Sequence, residues 1–213
     1  SAFALLKIAV ALYFHLCDSV ILRYVTVTNS SAMGVLMYDT TGKNLILNSA
    51  FSYNVAKDHT TPGGGGFSIE FTYSSPGDIC APSPLLQHNT GSMYDFVNST
   101  VSGNVADDGS AYAGPKRIIP YACNHDAFGK GGGLALFFKG TASGNTVRLS
   151  NCTFQNNKAV WGGGLYTEFH DAAMGNVIEI ESTFLNNSAA VEGGGLRVVY
   201  YTPGYNRNKA TNN

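Results

Sequence analysis

The chain has 213 residues, 13 of them basic and 14 acidic, for a formal net charge of -1. That balance gives no electrostatic case for nucleic acid or an anionic membrane surface. Only 13% of the residues are charged, well under the usual share for a soluble domain, yet aromatic and β-branched residues run throughout, which excludes a disordered tract.

The opening, SAFALLKIAVALYFHLC (1–17), carries an apolar run interrupted by Lys7 and His15 and too short for a bilayer span. It reads as a buried strand with a preceding turn, and a signal peptide is the alternative. Next comes VTVTNSSAMGVLMYD, with Val27, Asn29 and the single glycine Gly34. Its pattern returns as SAFSYNVAKDHTTPGGGGFSIEF, with Phe51, Asn54 and Gly63 to Gly66. STVSGNVADDG supplies Val101 and Asn104, but its glycines, Gly131 to Gly133, follow a long insertion. CTFQNNKAVWGGGLYTEF and STFLNNSAAVEGGGLRVVY are the two most regular copies. Self-similarity of this size is the signature of stacked-repeat architectures.

The segments after the glycines align in columns: Phe67/Leu134/Leu165/Leu196, Ile69/Leu136/Thr167/Val198 and Phe71/Phe138/Phe169/Tyr200. Apolar columns at every second position predict strands with one buried face. The columns between them, Ser68/Ala135/Tyr166/Arg197 and Glu70/Phe137/Glu168/Val199, are expected on an outward, partly wet face. A second strand precedes each asparagine, in NLILNSAF, YDFVNSTV, NTVRLSNCTF and VIEIESTF. Like strands running in one direction stack in register about 4.8 Å apart. The expected fold is therefore all-β, a right-handed parallel β-helix in one domain over 1–213, with insertions at about 74–95 and 107–130. Its terminal coils look incomplete, and the chain is expected to be a fragment. Asn54, Asn104, Asn157 and Asn187 are expected to form an amide ladder at a corner, beside the ring ladder Phe71, Phe138, Phe169 and Tyr200. Glycine at the next corner permits positive φ and close approach between rungs.

FSYN, FQNN and FLNN, each with a downstream glycine cluster, resemble the repeats of the polymorphic outer-membrane, autotransporter-like proteins. The phrases GGGGFSIEFTY and GGGLALFFKG resemble large β-helix surface proteins of animals such as sponges and cnidarians. The resemblance covers most of the chain from about residue 20. It departs from the bacterial pattern in having Gly-Gly-Gly-Leu where that family tends to have Gly-Gly-Ala, and in Val27 and Val101 at aromatic positions. What it implies is an extracellular, surface-exposed structural or adhesive protein, with no catalytic residues to carry over.

Candidate chemistry is sparse. A phosphate loop needs Lys-Ser/Thr after its glycines, whereas GKGGGLALFF has its lysine before them and leads into a strand. The enzymatic alternative is a polysaccharide-active β-helix using Glu70 and Glu168, which share an outward column two rungs, about 9.6 Å, apart. Lys139, His170 and Asp171 lie near the same strand ends as possible ligand contacts. The histidines and cysteines lack metal-ligand spacing, so no metal and no cofactor are expected. Cys80 and Cys123 lie in the two insertions and are candidates for a disulfide, whereas Cys17 and Cys152 look like buried thiols. Of the sequons at Asn29, Asn98, Asn151 and Asn186, Asn98 is the favoured glycan carrier. Trp161 on its turn is a possible sugar-stacking contact. Glycans or other cell-surface proteins are the expected partners, with membrane contact only through parts missing from this chain.

Overall fold

The computed structural model describes residues 10–56, 64–71, 90–107, 129–140, 142–170 and 173–201. Among them the chain is all-β, without helix, and every strand pairing is parallel. One sheet is ordered β1 (Val10–His15), β4 (Met33–Tyr38), β8 (Phe67–Phe71), β12 (Leu134–Phe138), β15 (Leu165–His170), β18 (Leu196–Tyr201). The second joins β2 (Ile21–Arg23), β5 (Lys43–Leu47) and β9 (Met93–Val97) to β13 (Thr146–Gln155), which also pairs with β16 (Val177–Leu185). From β13 the same sheet returns through β10 (Thr100–Ser102) and β6 (Ala50–Ser52) to β3 (Thr26–Thr28). The third is β7 (Val55–Ala56), β11 (Val105–Ala106), β14 (Lys158–Trp161) and β17 (Ser188–Glu192).

From β4 onward the chain visits the three sheets in one repeating order, first, second, third, then first again. Leu134, Leu136 and Phe138 pair with Phe67, Ile69 and Phe71 on one side and with Leu165, Thr167 and Phe169 on the other, which is the register of the sequence columns. Side chains from the first and second sheets meet in one core that includes Phe51, Phe67, Phe96, Phe138 and Phe154. Phe71, Phe138, Phe169 and Tyr200 stack at 4.5, 4.8 and 4.8 Å between centroids, with planes within 9°. In-register parallel pairing places identical columns one strand spacing apart, which is also a favourable separation for ring stacking.

The glycine corners are set by contact between rungs. A Cβ on Gly133 would lie 2.6 Å from the Gly164 carbonyl oxygen, and one on Gly164 would lie 2.5 Å from that of Gly195. Each rung therefore excludes side chains on the next.

Two expectations change. The alternate face of the first sheet is not wet, since Ser68, Ala135, Phe137, Glu70 and Glu168 are all buried. Ala135, Phe137, Tyr166 and Val199 form a second apolar cluster there, with Trp161 and Tyr201 packed against it. Trp161 ends β14 as a half-buried residue and does not stand on an open turn. Most of the two insertions lies outside the described residues; Met93 to Asp95, at the end of the first, begin β9. Cys80, Cys123 and Asp171 also lie outside them, as do His59, His88 and His125. Cys152 is a buried free thiol, and Cys17 a partly exposed one.

Candidate functional site: a buried charge row on the first sheet

Glu70 and Glu168 occupy one register row, with Phe137 between them. Each is only 3% exposed, so each must be compensated to remain ionised. Lys139, just past the end of β12, donates to Glu70 Oε1. Among the described residues Glu70 Oε2 has no hydrogen-bond partner, nor has the neighbouring buried Ser68 hydroxyl. Lys130, delivered to the sheet by its bridge to Trp161, places Nζ 2.5 Å from Glu168 Oε2. The Tyr166 hydroxyl donates to the same oxygen at 2.5 Å. His170 Nε2 meets Oε1.

The two lysines also flank Phe137, with Nζ atoms 6.0 Å (Lys130) and 5.1 Å (Lys139) from its ring centroid. The row thus alternates carboxylate, ammonium, ring, ammonium and carboxylate, so that each cation meets an anion and an aromatic face. Burial pushes the Glu168 carboxyl up, but the Lys130 charge, then His170, then the hydrogen bonds from Lys130 and Tyr166, bring it below the ordinary carboxylate range. Burial pushes the Tyr166 phenol strongly up, and the Glu168 charge adds to it. Tyr166 therefore acts as a neutral donor.

Of the proposed ligand contacts, Lys139 and His170 are each engaged by a different glutamate. Trp161 has the Arg197 guanidinium 4.2 Å over its ring, so one face is already covered. The Glu70–Glu168 pair is buried and does not stand on the open, wet face expected from the sequence columns. Lys130 and Tyr166 were not legible from sequence, because Lys130 sits at the end of an insertion and Tyr166 falls in a column read as wet. Among the described residues no group of three or more His, Cys, Asp or Glu could hold a metal ion.

The polar corners have a different design. Backbone N and Nδ2 of Asn54 both donate to Asn104 Oδ1, at 3.0 and 3.1 Å. Asn104 does the same to Asn157, and Asn157 to Asn187, all at 3.0 Å. The second Nδ2 hydrogen of Asn104 goes to the Phe51 carbonyl at 2.8 Å, so each internal amide is saturated. The left-handed corner itself is made one residue earlier, at Asn29, Tyr53, Gly103, Asn156 and Asn186, with φ between 51° and 63°. A second corner carries a shorter ladder that the sequence reading missed: Ser92 N donates to Asn145 Oδ1, and Asn145 N and Nδ2 donate to Asn176 Oδ1, each at 3.0 Å. Its signal was the repeated Gly-Asn of SGNT and MGNV.

Residues 151–168, one corner-to-strand unit ending at Glu168, match the Chlamydia polymorphic membrane protein repeat. That repeat is named for polymorphic membrane proteins, and the match spans residues 151–168 of the 213. No curated protein and no solved structure matches the chain.

Proposed function

We propose that the chain is a right-handed parallel β-helix serving as a structural or adhesive module of a larger extracellular, cell-surface protein. The carrying observation is the repeated passage through three parallel sheets with amide and ring ladders in register, which makes a stiff scaffold. Its charged groups support the same reading, since Glu70 and Glu168 are buried and each is paired with a lysine. Binding would then fall to surface columns and to loops held by the scaffold. Glycans or other surface proteins are the partners that suit it.

The test is adhesion of beads coated with the chain to a panel of cell surfaces under flow, alongside an assay for reducing ends released from polysaccharides. Retention without cleavage is expected. Cleavage abolished by E70Q or E168Q would replace this reading with the enzymatic one, and retention no better than that of beads bearing an unrelated β-protein would remove it.

A further inference from the structure

We infer that Asn98 is the acceptor of an N-linked oligosaccharide, that Asn151 one rung away orients it, and that only one of the two is modified in a folded molecule. This deepens the surface-module reading and rests on it, because the modification belongs to chains that are exported.

Two glycosylation sequons, Asn98-Ser99-Thr100 and Asn151-Cys152-Thr153, fall at the same corner of successive rungs. Val97 pairs with Ser150 before the corner, and Thr100 with Thr153 after it. Both asparagines are exposed, and each turns the chain in the left-handed region at φ 50°. On the following strand Asn151 and Cys152 stand against Ser182 alone, so the asparagine column of this corner ends at Asn151.

One hydrogen bond makes the two amides unequal. Asn151 Nδ2 donates to Asn98 Oδ1 at 2.8 Å, which uses the nitrogen of Asn151 and the oxygen of Asn98. Among the described residues Asn98 Nδ2 has no partner, and with its oxygen held by Asn151 that nitrogen is left to solvent. Transfer from a polyprenyl-diphosphate-linked oligosaccharide joins Asn98 Nδ2 to the sugar C1 and breaks the bond from C1 to the phosphate oxygen. The diphosphate leaves, and one Nδ2 proton goes to a base of the transferring enzyme. The product keeps Oδ1 and one N–H, so the bond from Asn151 survives and fixes the direction in which the oligosaccharide leaves the surface.

A sugar on Asn151 would instead replace a hydrogen on the nitrogen that makes this bond. The two asparagines are 53 residues apart in the chain and meet only on folding, where a sugar on each would stand about 4.8 Å from the other. A linking sugar with its substituents is broader than that spacing. A doubly modified chain therefore cannot close the corner.

The experiment secretes the full 213-residue chain from cultured animal cells, trims it to the linking sugar with an endoglycosidase and maps it by peptide mass spectrometry. Chain retained in the cells is mapped alongside, and the sequons at Asn29 and Asn186 are read separately. Asn98 should be occupied and Asn151 bare, and the intact mass of N29Q/N186Q should show one linking sugar per chain. T100V, which removes the hydroxyl of the first sequon while leaving both amides, and N98Q should each shift the sugar to Asn151. Asn98 bare in the wild type, two linking sugars per secreted N29Q/N186Q chain, or no shift to Asn151 in either variant would overturn the inference. If Asn98 is bare and coated beads still adhere to cells, the acceptor is wrong while the surface-module reading stands; if Asn98 is occupied and the beads adhere nowhere, the reverse holds.

Discussion

A single asparagine in this protein does the work of a backbone strand. The Asn104 oxygen takes both the backbone N–H and the side-chain Nδ2 of Asn54, and its own Nδ2 bridges to Asn157 and to the Phe51 carbonyl. Replacing it with alanine strands two donors of Asn54 in a site that is fully buried. Each orphan costs about 1–3 kcal/mol, so Asn104→Ala should lower unfolding free energy by about 2–6 kcal/mol in urea titration. Asn187 stands at the end of the ladder and is partly exposed. Water can replace its contacts there, and Asn187→Ala should cost about 1 kcal/mol. Equal losses for the two would show that the ladder is incidental. The ladder positions were legible from the spacing of the repeated phrases. The division of labour at each corner was hidden in NN pairs, where either asparagine could turn the chain; Tyr53-Asn54 and Gly103-Asn104 resolve it, because there only the second residue carries the amide.

At the scale of the strand, the first sheet departs most from simple alternation. The columns holding Glu70, Glu168 and Tyr166 looked wet because they contain polar residues, but β12 reads LALFF, with apolar side chains on both faces. A near-continuous apolar strand is the mark of a sheet covered on both sides, and that signal outweighs two glutamates that bring their own counter-ions. Lys130→Met removes one cation and leaves Glu168 buried with less compensation. Breaking a buried pair costs about 3–5 kcal/mol, so denaturant midpoints should fall accordingly, and Lys130→Met/Glu168→Gln should recover much of the loss. A double variant as unstable as the single would contradict the pairing. The same carboxylate sets a pH dependence. Its folded pKa is depressed, so its stabilising contribution is complete above the unfolded value of about 4.3 and disappears as pH falls through the lower folded value. Wild type should therefore lose stability below about pH 4 more steeply than Glu168→Gln. Parallel curves from pH 7 to pH 3 would refute the ion pair.

For the molecule as a whole, the two ends of the stack differ. Among the described residues of the first strands, Val20 and Val25 donate their backbone N–H groups to Asn44 and Ser49, but their own side chains offer no acceptor to a further rung. The other end, formed by β16, β17 and β18, leaves Ile180, Leu185, Val191, Leu196 and Tyr200 between 37% and 60% exposed. Leu196, Tyr200 and Ile180 continue columns that are buried one or two strands earlier, at Leu165, Phe138 and Leu149. Among the described residues nothing pairs with the outer side of β18, and an apolar parallel edge of that kind is a template for another strand. The 213-residue chain should therefore self-associate through β18, with a sedimentation coefficient that rises with concentration. Leu196→Lys with Tyr200→Lys puts charge on that edge, and it should restore a monomer. Association that survives both lysines would move the contact elsewhere, to the exposed tyrosines Tyr13, Tyr24 and Tyr53 of the first rungs. A wild-type monomer at all concentrations would mean that the edge is protected by something other than strand pairing.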